Sequence, residues 1–353
     1  MATAKTIVTE LVTALGMLRP GMSLDEALSG SAPAELLNLD EHHWDRLCDW
    51  RAKGRYSTEY EAAFRNGRWF TKDENGLAGR TPARVEWKGS HRVPGDEVVP
   101  ADLRVDRVWL VSCKYLSKNI HNVAPARLFT HLLLTIDSHD SSDWYLATAP
   151  KAFQRLFEEA VELCELANMP HDVGDLTSTD RQRMKGSMKR YGRRKLPEPA
   201  NRAYEDLIVA VSRASADRWR AQLGSVARQE RMLWRLLRLC SAPYFILGST
   251  GDEFLRLRIE TPWDWRQSFE FHELEVTPTG VGQPEVTWKA MVTERQSGEE
   301  IIVHGRVEIR WSHGRFSAPP EAKIYLETPH RQVPGYTPVD NPLGRSGEDR
   351  LFD

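Results

Sequence analysis

What this chain lacks narrows its chemistry first. Its four cysteines, Cys48, Cys113, Cys164 and Cys240, are far apart and form no C-x-x-C pair, which argues against a zinc ribbon or a disulfide framework and for a reduced intracellular protein. No run of about 18 apolar residues occurs, as a membrane helix would need. The best stretches, Leu128–Ile136 and Met232–Leu247, are broken by His131 or by Arg235 and Arg238. Thr6 to Leu18 is interrupted by Thr9, Glu10 and Thr13, and no small-residue cleavage site follows it, so no signal peptide is expected. A soluble, cytoplasmic protein with no membrane partner is the expectation. The 11 histidines show neither H-x-x-x-H nor H-E-x-x-H spacing. There is no P-loop, no G-x-G-x-x-G and no G-x-S-x-G, and the short G-x-x-G at Gly76–Gly79 carries no weight. Charge of one sign is missing too: the net charge is -2, so any basic, nucleic-acid-binding surface must be local.

What is present describes an ordinary globular chain with a large aromatic core. At 353 residues, 41% hydrophobic and 28% charged, it is long enough for one large or two to three smaller domains. Twelve tryptophans are many for this length. Trp44, Trp50, Trp69, Trp87, Trp109, Trp144, Trp219 and Trp234 sit in apolar-periodic stretches, where packing is their expected role.

Along the chain, residues 1–55 read as helices, including Glu41–Ala52. Ser57 or Thr58 is placed to cap a helix over Glu59–Asn66 that Gly67 ends, and residues 71–82 read as a loop. Strand-like segments follow at Arg84–Lys88, Leu103–Val105 and Val108–Tyr115. Helices are expected from Pro125 to Thr135 and over Lys151–Asn168, then near Ala203–Leu223 and Ala227–Cys240. From Tyr244 to about Leu326 the pattern is β-rich, and the tail from Pro334 has few apolar anchors.

The segment from Pro100 to Lys114, P-A-D-L-R-V-D-R-V-W-L-V-S-C-K, is the most informative. It reads as two strands and a tight turn. Trp109, Val111 and Cys113 must share one face, with Leu110, Ser112 and Lys114 on the other. A two-residue turn at Asp106–Arg107 with Val105 opposite Val108 sets Asp102 on the side away from Lys114. A loop one residue longer, or a bulge, sets Asp102 level with Ser112 and on the side of Lys114. Only the second register gathers Leu103, Val105, Trp109, Val111 and Cys113 into one apolar face, and burial of one face selects register. Asp-Arg also lacks the Asn-Gly type turn signal.

These residues resemble the PD-(D/E)XK nuclease superfamily, where an acid opening one strand is followed by (D/E)-x-K on the next. Pro100-Ala101-Asp102 matches the first half with one residue inserted, and Ser112-Cys113-Lys114 the second half with serine in place of the carboxylate. Together with the order of elements, the resemblance covers residues 56–165. It implies an α/β (α+β) chain: a restriction-endonuclease-like mixed sheet flanked by helices, then a helical segment and a β-rich C-terminal domain. It implies Mg²⁺ (or Mn²⁺) held by Asp102 and the Cys113 carbonyl, with Lys114 at the attacking water. Because Ser112 brings no charge, a second carboxylate is expected from Glu61 or Glu59, or less readily from Asp96 or Glu97. If none converges, the chain reads as an inactive relative acting as a nucleic-acid-binding or adaptor subunit. A strand-end lysine that merely reaches solvent is the plain alternative. Glu86-Trp87-Lys88 is a rival E-x-K that would need Asp73 as partner.

DNA is the expected partner, and the resemblance suggests a homodimer or a subunit of a defence complex. Residues 178–195 carry Arg181, Arg183, Lys185, Lys189, Arg190, Arg193, Arg194 and Lys195 against Asp180 alone, and such a run either tracks phosphates or is a solvated helix face. Lys118, Asn119, His121 and Asn122 follow the hairpin closely. Arg310–Phe316, including Arg315, joins aromatics and arginines near a turn, which either stack on a base or are structural. The expected division is 1–55 helical, 56–165 nuclease-like, 166–242 basic helical, 243–332 β-rich with a DNA-recognition role, and 333–353 a flexible tail. The expected activity is Mg²⁺-dependent DNA cleavage of the restriction or anti-phage defence kind.

Overall fold

The computed structural model describes residues 3–89, 99–115, 119–134, 143–192, 195–250 and 253–339. It is a mixed α/β protein. Among the described residues there are 11 α-helices, a seven-stranded mixed sheet and a five-stranded antiparallel sheet toward the C-terminus. No helix among them is long and apolar enough to cross a membrane.

The contacts group into two compact units, and neither is contiguous. The first comprises residues 1–117, 238–267 and 330–353; the second comprises 118–237 and 268–329. The five consecutive segments expected from the sequence are therefore corrected. The first 55 residues are not a separate piece, and the β-rich region is split between the units.

In the first unit, α1 (Ala4–Leu18) starts at Thr3, whose hydroxyl accepts from the Thr6 N–H. It is buried from Ile7 to Met17. Short α2 (Leu24–Leu28), β1 (Leu36–Leu37) and α3 (Glu41–Ala52) lead to α4 (Ser57–Lys72). Neither Ser57 nor Thr58 caps α4; Tyr56 does so in a left-handed conformation, without a side-chain bond. Gly67 does not end it. A Cβ there would meet the Thr13 carbonyl at 2.1 Å, and one at Gly16 would meet the Phe64 carbonyl at 2.4 Å. The two glycines are where the backbones of α1 and α4 touch, a role that local capping rules cannot reveal.

The sheet runs β1, β2 (Val85–Trp87), β3 (Leu103–Val105), β4 (Trp109–Tyr115), β6 (Tyr244–Thr250), β7 (Glu253–Ile259), β12 (Tyr336–Pro338). β2, β3 and β4 form an antiparallel meander, and β6 lies parallel to β4. Val85, Trp87, Leu103, Val105, Val111, Cys113, Phe245 and Leu247 face α1 and α4 in one apolar core. Within the expected tail, residues 333–339 are in fact built in: Val333 and Tyr336 are buried and β12 pairs with β7. Residues 340–353 lie outside the described residues.

The second unit begins with β5 (Asn119–Val123), which pairs with β11 (Glu321–Leu326); β10 (Glu300–Arg310), β9 (Pro284–Glu294) and β8 (Phe269–Gly280) complete its sheet. Helices α5 (Pro125–Phe129), α6 (Trp144–Thr148), α7 (Pro150–Leu163), α8 (Ser178–Met188), α9 (Ala200–Gln222) and α10 (Val226–Leu236) belong to it, with α9 and α10 against β8. α5 stops short of the expected Thr135, because Leu132 and Leu133 turn left-handed. Short α11 (Pro262–Ser268) carries the chain back into the second sheet.

Candidate functional site

The hairpin takes the register that the apolar pattern selects. Leu103 faces Val111, Arg104 faces Leu110 and Val105 faces Trp109. Asp106 and Arg107 form a two-residue turn, both with positive φ, closed by the Val108 N–H donating to the Val105 carbonyl at 3.0 Å. The extra residue is Val108, 68% exposed, which bulges out before the ladder resumes at Trp109. The Arg84 N–H donates to Asp106 Oδ1 and the Asp106 N–H to the Arg84 carbonyl, both at 3.0 Å, so the neighbouring strand braces the strained turn.

This bulge puts Asp102 level with Ser112. The Ser112 hydroxyl donates to Asp102 Oδ2 at 3.1 Å, and the Cys113 N–H donates to the same oxygen at 2.7 Å. Lys114 Nζ stands 4.0 Å from Oδ2, with the carboxylate 16% and the lysine 46% exposed. Ser112 is fully buried. Cys113 points the other way, into the α1 side, where burial pushes its thiol well up and the Asp102 charge adds to the effect. Asp102, Ser112, the Cys113 backbone and Lys114 are thus brought together on the sheet face opposite α1 and α4.

The rival E-x-K lies on that same face. By register, Lys88 is directly across from Asp102, and its N–H donates to the Asp102 carbonyl at 2.9 Å. Glu86, one pleat away, accepts from Arg104 Nε at 2.8 Å and Nη2 at 2.5 Å. Lys88, only 6% exposed, and the Glu86–Arg104 pair therefore flank the aspartate. The two motifs are rivals in sequence but neighbours on the sheet, where the pleat aligns them in adjacent rows. Asp73, the rival's proposed partner, instead accepts from the Asn75 N–H in a turn.

The supporting carboxylates are not gathered there. Lys5 Nζ donates to Glu59 Oε1 at 2.5 Å, and Arg51 Nη2 to Glu61 Oε1 at 3.2 Å. Both glutamates ride on α4, which packs on the opposite face of the sheet, so the expectation of either as a ligand beside Asp102 is corrected. Asp96 and Glu97 lie outside the described residues. Among the described residues no group of three or more His, Cys, Asp or Glu side chains is placed to hold a metal. Among the described residues that face offers Asp102, whose Oδ1 accepts no hydrogen bond from a described residue, and Glu86, which is paired with Arg104. Mg²⁺ tolerates so small a protein share, because it keeps waters and takes one or two carboxylates plus phosphate oxygens. The residues present fit the ion on those terms alone.

The other expected contacts scatter. Asn119, with His121 and Asn122, lies on β5 of the second unit, and Lys118, Arg193 and Arg194 lie outside the described residues. Around the basic helix α8, arginines are tied to their own unit. Arg181 pairs with Asp143 at 3.3 Å; Arg183 donates to the Ala167 carbonyl at 2.6 Å; Arg190 donates to the Leu163 carbonyl at 2.9 Å. Arg315 donates to the Gly192 carbonyl at 3.1 Å and lies over the Tyr204 ring. Trp311 and Phe316 pack with Tyr145 and Phe153 in an aromatic cluster, the structural reading of that turn. Lys189 is exposed and Lys185 partly so.

Compared with family models, curated proteins and solved structures, the chain matches none.

Proposed function

We propose that this protein is a Mg²⁺-dependent endonuclease acting on DNA, of the restriction or anti-phage defence kind. What carries the reading is one observation: Asp102 and Lys114, 12 positions apart in the chain, meet at 4.0 Å on one sheet face. An acid and a lysine so placed suit hydrolysis of a phosphodiester, in which a P–O bond to water forms as a P–O bond to the leaving oxygen breaks. Asp102 and the Cys113 carbonyl would hold the ion, which when bound neutralises phosphate charge and makes water a better nucleophile. Ser112 and the Cys113 N–H fix the carboxylate rotamer so that Oδ1 stays available. The Lys114 ammonium orients the attacking water and stabilises charge that develops on the phosphoryl oxygens.

A second reading is favoured by a specific observation, the lack among the described residues of a group of three or more His, Cys, Asp or Glu side chains placed to hold a metal: a nuclease-like protein that binds nucleic acid or a partner without cutting. Cleavage of supercoiled plasmid in Mg²⁺ separates the two. The nuclease reading expects wild-type cutting to fall at least about 100-fold in Asp102→Asn and in Lys114→Met, the size of loss typical for one electrostatic group. Equal cutting by all three proteins removes the catalytic assignment, and no cutting by any of them favours the adaptor.

A further inference from the structure

α10 presents Arg228, Arg231 and Arg235 at spacings of three and four, which at about 100° per residue puts all three on one side of the helix. The rest of the helix is fixed: Met232, Leu233, Trp234 and Leu236 are buried, and the Leu274 N–H of β8 donates to Gln229 Oε1 at 3.1 Å. Glu230 falls about 200° from Arg228 by the same geometry, away from the arginine side. The three arginines border a cleft in the second unit together with Thr130, His131 and Gln222.

Each guanidinium is anchored to a backbone carbonyl and to no carboxylate among the described residues. Arg228 Nη1 donates to Gln222 O at 3.4 Å, Arg231 Nε to Ala227 O at 3.1 Å, and Arg235 Nη1 to Leu132 O at 2.6 Å. The last carbonyl is aimed into the cleft by the left-handed pair Leu132 and Leu133, with φ 48° and 59°. The left-handed region is strained for leucine, so this turn must be held by its surroundings. Carbonyl anchoring leaves the positive charges uncompensated while fixing their positions. Burial chiefly, and the charge of Arg231 after it, lowers the pKa of Arg235.

We infer that the cleft formed by Arg228, Arg231 and Arg235 with Thr130, His131 and Gln222 is a binding site for a phosphate group. Its volume of about 210 Å³ sets the size of the guest. That is below the roughly 300–1,000 Å³ of sites that enclose whole small molecules. A single phosphate fits this room, and guanidinium forks match its oxygens. The phosphate comes either as a free ion or ester, or as one unit of a nucleic-acid backbone.

Calorimetric titration with inorganic phosphate, and separately with a short DNA duplex over a salt series, tests the site. Arg231→Glu and Arg228→Glu alter exposed side chains, and an unchanged circular dichroism spectrum checks that they fold. At least a tenfold loss of phosphate affinity in both variants is expected. If DNA affinity falls as well and its salt slope drops by about one, the source is a backbone phosphate. If only the inorganic phosphate is lost, the source is a free ion or ester. Wild-type and variant proteins that bind both probes equally, or a wild type that binds neither, overturn the assignment. Cleavage plays no part in this readout, so the hairpin reading and this one fail separately.

Discussion

The charged residues of the two units lead opposite lives. In the first unit, Asp102, Lys114, Lys88 and the Glu86–Arg104 pair share one sheet face, brought there by strand alternation and one bulged residue. In the second, Arg181 and Arg183 of the conspicuous basic run are paired with Asp143 and Asp180, while three inconspicuous arginines of α10, held on carbonyls alone, line a cleft. Strand position fixes which side chains meet. Density of charge along a helix says nothing about whether the chain itself already uses it.

Arg181 is the sharpest place to break that contrast. It is nearly buried against Asp143, whose carboxyl is pushed up by burial and only partly held down by Arg181. Arg181→Ala should destabilise the fold by about 3 kcal/mol at pH 7 in urea unfolding, as for breaking other buried pairs. The cost should shrink toward pH 4. A carboxyl with a raised folded pKa favours the fold below its unfolded value, and that contribution is lost as pH rises through the folded value. A variant of normal stability with weakened DNA binding would mean that Arg181 serves a ligand, and the contrast would fail.

A smaller effect sharpens the other side. Arg107 is left-handed and exposed, so Arg107→Gly should stabilise the protein by about 1 kcal/mol without shifting register, since glycine adopts that conformation freely. A loss of stability would mean that contacts of the Arg107 side chain, such as the one with Glu86 at 4.0 Å, outweigh the backbone strain.

What the sequence made legible follows the same division. The alternation of Leu103, Val105, Val111 and Cys113 defined a face, and the face fixed where Asp102 stands relative to Lys114. The helix of Glu59 and Glu61 was legible as a helix, but the sheet face it covers was not, because that depends on a glycine contact between α1 and α4 far apart in the chain. The same non-local packing hid the pairing of β5 with β11 and the return of β6, β7 and β12 to the first sheet. The arginine spacing on α10 was visible in the sequence; the cleft beside it needs the turn at Leu132 and Leu133, which no local signal announces.

Mn²⁺ binding followed by electron paramagnetic resonance, with and without a duplex DNA, probes the hairpin most directly. One carboxylate with phosphate completing the coordination predicts Mn²⁺ uptake that strengthens sharply when DNA is added and disappears in Asp102→Asn. Uptake unchanged in Asp102→Asn, or no uptake by the wild type even with DNA, would contradict the assignment of Asp102 and Lys114 as a metal-dependent phosphate site.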